Sequence, residues 1–116
     1  MVRNNYEKGK YGENLACDYL IKNNYEIIDR NYNTINAGEI DIIAKKDSYI
    51  IFIEVKYRKN TKNGYPREAV NTEKQNRIKK TAMYFIYEKN IEDNNFRFDV
   101  IEILDNKIEH IENAFW

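Results

Sequence analysis

A single cysteine, Cys17, rules out an internal disulfide, and its place in a helical pattern fits a protein of a reducing compartment. A single histidine, His110, leaves neither a Cys/His set at zinc spacing nor a Ser-His or Cys-His nucleophile system. One proline and four glycines leave no room for a long flexible linker, and no glycine-rich phosphate loop of the GxGxxG or GxxxxGK[ST] type occurs. No apolar run approaches the roughly 18 residues that a membrane span needs. The opening MVRNNYEKGKYGEN has no apolar core of a signal peptide, so a cytoplasmic protein with no membrane partner is expected. The 116 residues predict one domain, 1–116, large enough to bury a core without metals or disulfides. Net charge is also absent, since 19 Lys+Arg balance 19 Asp+Glu.

What is present is unevenly spread. Residues 1–55 carry 7 basic and 9 acidic side chains, residues 56–89 carry 10 and 3, and residues 90–116 carry 2 and 7. A basic middle segment of this kind can attract a polyanion although the total charge is zero.

Apolar spacing predicts a helix over 5–22, with Leu15, Ala16, Tyr19 and Leu20 as its stripe. Strands follow at 25–32, 39–45 and 49–58, the last two as an antiparallel hairpin across Lys46-Asp47-Ser48. KNTKNGYP reads as a loop. A second helix covers 68–89, with Val70, Ile78, Ala82 and Phe85 inward. A strand over 96–104, a turn at Asp105-Asn106 and a closing strand and tail over 107–115 complete the order α-β-β-β-α-β-β. Helices at two points around a mixed sheet predict a small α/β sandwich.

The hairpin holds the chemistry. Alternation puts Ile51, Ile53, Val55 and Tyr57 on one face of 49–58, and Ile50, Phe52, Glu54, Lys56 and Arg58 on the other. In 39–45, Glu39, Asp41 and Ile43 share a face opposite Ile40, Ile42 and Ala44. Pairing brings Asp41 opposite the Glu54 region, so Asp41, Glu54 and Lys56 converge. Two carboxylates and the Val55 carbonyl oxygen form a hard-oxygen set suited to Mg²⁺, which fills its shell with water and phosphate oxygens. Lys56 beside them can orient or deprotonate a water, or offset charge developing on a phosphate. The equally simple alternative is an internal Glu54–Lys56 ion pair.

Glu13, at the border of the first helix's apolar stripe, needs a partner there and reads as a third acid over the same site, or as a capping glutamate. Gly9 and Gly12 beside it allow close approach of a backbone or a phosphate. On the second helix Lys74 and Arg77 lie one turn apart, with Gln75 between them. Together with Arg58, Lys59 and Lys62 they line a phosphate-binding groove, or a solvated face. Tyr57, Tyr65 and Tyr84 are placed to stack on unpaired bases. Asp99 reads as a structural acid at a sheet end.

Taken in order, GKYGENLACDYL, NYEIIDRNY, AGEIDIIAKKDSYIIFIEVKYR, AVNTEKQNRIKKTAMYFI, FRFDVIEI and HIENAF resemble the YraN family of bacterial proteins over nearly the whole chain. The resemblance implies a restriction-endonuclease-like α/β fold, a central mixed sheet flanked by helices, related to archaeal Holliday junction resolvases. It implies a Mg²⁺-dependent endonuclease (Mn²⁺ as the alternative ion) hydrolysing DNA phosphodiesters, with branched DNA among its substrates. The alternative is a non-catalytic nucleic-acid-binding or interaction module that keeps the nuclease fold. The family's pattern falls on Glu13, Asp41, Glu54 and Lys56, and more loosely on Gln75. Ile40 stands where the wider nuclease motif has its proline. Cutting two strands of a junction would require a symmetric homodimer.

Overall fold

The computed structural model describes residues 5–35, 37–60, 71–92 and 94–115, so the expectations for Lys62, Tyr65 and Val70 lie outside the described residues. The elements are α1 (Asn5–Lys22), β1 (Glu26–Asn33), β2 (Glu39–Lys46), β3 (Tyr49–Arg58), α2 (Thr72–Glu88), β4 (Asn95–Leu104) and β5 (Lys107–Ile111). They follow the predicted order. The strands form one sheet in sequence order, antiparallel except where β3 and β4 run parallel from Tyr49–Asn95 to Arg58–Leu104.

Each face of the sheet carries one helix. α1 buries Ala16, Cys17 and Leu20 against Ile42, Ala44, Ile51, Ile53, Ile101 and Ile103. On the other face, Ile78, Ala82 and Phe85 of α2 pack on Ile43, Ile50, Phe52, Phe98 and Val100. Fully burying a side chain such as Phe52 contributes about 2–3 kcal/mol, so these two layers dominate the stability. Period-2 alternation in β3 and period-3.6 spacing in the helices explain both layers.

The structure corrects several expectations. α2 begins at Thr72, because Asn71 caps it: its Oδ1 accepts the Lys74 N–H at 2.9 Å. β5 ends at Ile111 and residues 112–115 form turns, which matches the expected closing strand and tail. Ile40 lies on the α2 face with Ile43, not with Ile42 and Ala44. The alternation of β2 therefore slips at Asp41. Opposite Asp41, between the pairs Arg30–Ile42 and Tyr32–Ile40, Asn31 takes a left-handed φ of 54°. Asparagine tolerates this conformation better than most residues.

Gly12 makes the approach of α1 to β3 possible. A Cβ built on it would stand 2.8 Å from Tyr57 Cβ, whereas Gly9 has open space around it. Tyr57 packs against α1 with its ring edge-on to Tyr11, which removes it from the basic helix face where base stacking was expected.

Asp99 is fully buried and structural, as expected. Arg97 donates from Nε to Oδ1 and from Nη2 to Oδ2, both at 2.9 Å; the Asn113 N–H reaches Oδ1 at 2.9 Å, and His110 Nε2 lies 2.6 Å from Oδ2. Burial would raise the Asp99 carboxyl, but His110, Arg97 and the Asn113 N–H outweigh it and hold the pKa below the usual value.

Two substitutions test this frame by urea denaturation. Gly12→Ala should lower stability by about 1–2 kcal/mol, because overpacking against Tyr57 exceeds the helix propensity gained. Asp99→Ala should cost about 3–5 kcal/mol by leaving Arg97 without its carboxylate.

Candidate active site

β2 and β3 pair from Lys46–Tyr49 to Ile42–Ile53 and then part. The Asp41 carboxylate takes up the ladder where it ends: the Val55 N–H donates to Asp41 Oδ2 at 2.8 Å. This bond fixes Asp41 beside Glu54, the neighbour of Val55, as the hairpin pairing predicted.

Glu13 arrives from α1 and Glu39 from the start of β2. Carboxylate oxygens of Glu13, Glu39 and Asp41 lie within 4.8 Å of one another. The Asn31 amide donates to Glu13 at 2.9 and 3.0 Å and to Glu39 Oε1 at 2.8 Å, bridging the two acids from opposite Asp41. Arg30 Nη2 stands 3.6 Å from Glu13 Oε1. One amide and one guanidinium thus hold two carboxylates in place without fully neutralising the group.

Glu54, only 5% exposed, faces two ammonium groups on one oxygen. Lys74 Nζ lies 2.8 Å and Lys56 Nζ 3.3 Å from Oε1. Its other oxygen, Oε2, is buried and has no hydrogen-bond donor among the described residues, although a protonated Asp41 carboxyl lies near enough to share its proton with Glu54. A buried carboxylate oxygen left without a donor is costly, and a cation satisfies it. Glu54 neighbours Asp41 but stands outside the Glu13–Glu39–Asp41 group; the all-oxygen donors of that group, with Glu54 beside it, fit a hard divalent ion such as Mg²⁺.

The charges perturb one another. Burial first, and then the Glu54 carboxylate, push the Asp41 pKa up to about 8 against the opposing Val55 N–H. Burial and the nearby Lys74 lower Lys56, with Glu54 acting against them. Burial disfavours the Lys74 ammonium too, but Glu54 outweighs it and raises that pKa. Lys74 is therefore the firmly charged partner, and Lys56 the one that gives up its proton more readily.

The group opens on a cleft of about 410 Å³ bounded by Gly38, Glu39, Asp41, Glu54, Lys74, Arg77 and Ile78. A larger cleft of about 670 Å³ lies by Tyr49 and Arg97, but Arg97 is committed there to Asp99 and Glu112. Asp41, Glu54 and Lys74 line the smaller one.

Of the side chains singled out from the sequence, Glu13, Asp41, Glu54 and Lys56 come together, joined by Lys74. Arg77 lines the cleft mouth and pairs loosely with Glu73 at 3.9 Å. Gln75 and Arg58 are half-buried, and Lys59 is exposed. Val55 enters through its N–H. Glu39, Asn31 and the Lys74–Glu54 pair were not picked out from sequence. Glu39 had a signal, its shared strand face with Asp41; the other two depend on tertiary contact.

An α/β fold with a five-stranded mixed sheet between two helices, bearing acids and a lysine where two strands part, is consistent with the restriction-endonuclease-like class. Residues 12–103 match the model of "Uncharacterised protein family UPF0102". The chain belongs to this family, the YraN family of the sequence resemblance. It is 47% identical over 114 residues to a UPF0102 protein of Clostridioides difficile, covering 97% of this chain and 99% of the relative. It is 52% identical over 110 residues to one of Thermodesulfovibrio yellowstonii, covering 95% and 96%.

The raised Asp41 pKa has a definite sign. Between 3.8 and about 8 the folded protein keeps a proton that the unfolded chain has released, so stability falls as pH rises through that window. Asp41→Asn keeps an acceptor for Val55 and removes the titration. Melting measured from pH 4 to 9 should show the variant more stable than the parent at pH 8, by about 1–3 kcal/mol, with the gap closing towards pH 4.

Proposed function

We propose that the protein is a Mg²⁺-dependent endonuclease that hydrolyses DNA phosphodiester bonds, with branched DNA among its substrates. The observation that carries this reading is the buried, donor-less Oε2 of Glu54 beside the Glu13–Glu39–Asp41 cluster, with Lys56 alongside. Glu13, Glu39, Asp41 and Glu54 would hold the ion. Bound there, Mg²⁺ would supply Lewis-acid polarisation of the phosphate and a lower pKa for the attacking water.

The chain's own residues do the rest. Lys56 orients the attacking water at Nζ and offsets charge developing on the phosphate, while the water's proton passes to solvent. Water oxygen bonds to phosphorus, one P–O ester bond breaks, and the leaving oxygen takes a proton from solvent. Arg77, more than half exposed at the cleft mouth, holds the sugar–phosphate backbone.

The two ammonium groups on Glu54 Oε1 favour a second reading, a non-catalytic nucleic-acid-binding module in which this cluster is an internal ion network. One assay separates them: labelled four-way junction, flap, single strand and duplex, each with Mg²⁺, Mn²⁺ or chelator. The nuclease reading expects metal-dependent cutting, reduced at least about 10²-fold by Asp41→Asn and by Lys56→Ala. Gel shifts without any metal-dependent product from folded protein would establish the binding module.

A further inference from the structure

Lys74 is the residue whose position neither the hairpin motif nor ordinary surface behaviour explains. It comes from α2, on the far side of the cleft from the strands that carry the acids. It nevertheless makes the shortest ion pair at the site, 2.8 Å to Glu54 Oε1, shorter than that of Lys56 from Glu54's own strand.

The reach is built in. The Lys74 N–H is held by the Asn71 cap. Further along α2, Thr81 Oγ1 donates to the Gly38 carbonyl at 2.8 Å. Gly38 itself lies so close to the helix that a Cβ on it would stand 3.2 Å from Arg77 Cβ. These contacts set the first turns of α2 over the acids, so the lysine is delivered to Glu54 by a fixed element.

The charge balance shows what the lysine does there. Among the described residues, two ammonium groups, Lys56 and Lys74, already share one oxygen of Glu54, with Arg77 beside them at the cleft mouth. A divalent ion on the same carboxylate would add two further positive charges, and one resident cation would then be surplus. Lys74 is the one free to leave: its side chain is 33% exposed and lines the cleft, against 16% for Lys56.

We propose that Lys74 is an internal cation that holds Glu54 in place of a divalent metal and is exchanged away from Glu54 when the metal binds. Lys74 is thus a positioning residue that regulates filling of the site. The proposal rests on the metal site of the preceding section. It makes metal affinity weaker than the four carboxylates alone would give, because each binding event must break the Lys74–Glu54 pair.

The test is calorimetric titration of the full chain with Mn²⁺ alone, without nucleic acid, comparing the parent with Lys74→Gln, Lys74→Met and Lys74→Arg. Lys74→Gln keeps a donor for Glu54 without the charge, so it should fold even if Lys74→Met does not. The expected result is Mn²⁺ binding about tenfold tighter in Lys74→Gln than in the parent, with Lys74→Arg close to the parent. Equal or weaker binding by folded Lys74→Gln, with measurable binding by the parent, would overturn the proposal and leave the metal site standing. Absence of Mn²⁺ binding in the parent and every variant would remove the metal site and this proposal with it.

Discussion

A single hydrogen bond from the Val55 N–H to the Asp41 carboxylate governs the geometry of the site. It stands where β2 stops pairing with β3. Had the backbone ladder continued, Asp41 would lie flat in the sheet and β2 would run on beside Glu54. Because a side chain closes the ladder instead, the strands part and a cleft opens between them, floored by Glu54. The same departure carries Glu39 alongside Asp41, and the slip of alternation at this level lets Glu13, from the helix on the other face, reach the group.

Two buried acids of this protein differ in how completely their oxygens are satisfied. Asp99 has donors on both oxygens, a two-pronged guanidinium, an imidazole and a backbone N–H, and nothing remains to be satisfied. Glu54 is almost as deeply buried, yet both its cations sit on one oxygen and the other has no donor. A half-satisfied buried network is worse for stability than a complete one or an apolar replacement. A cation at the open oxygen would complete it.

The helices are docked to serve that group. Gly12 lets α1 lie close enough on Tyr57 to place Glu13, and Gly38 with Thr81 brings α2 close enough to place Lys74. Both approaches are local, and both lie next to the residue they deliver. The remainder of each interface is ordinary apolar packing, which holds the helices but does not aim them.

Much of this was legible in the chain. Element order, the hairpin, the two faces of β3 and the approach of Asp41 to Glu54 and Lys56 follow from periodicities of 3.6 and 2 and from antiparallel pairing, which are properties of the backbone. Tertiary structure decided the rest. Ile40 changed face because β2 slips at Asp41, an irregularity that strict alternation does not anticipate. Tyr57 stands away from the α2 side because its face belongs to α1. Lys74, one of four lysines or arginines on α2, became a partner of Glu54 because the Thr81–Gly38 contact sets the helix over the acids. Pattern assigns a residue to a face of its own element, but the distance between two elements depends on where they touch, and here small side chains set those contacts.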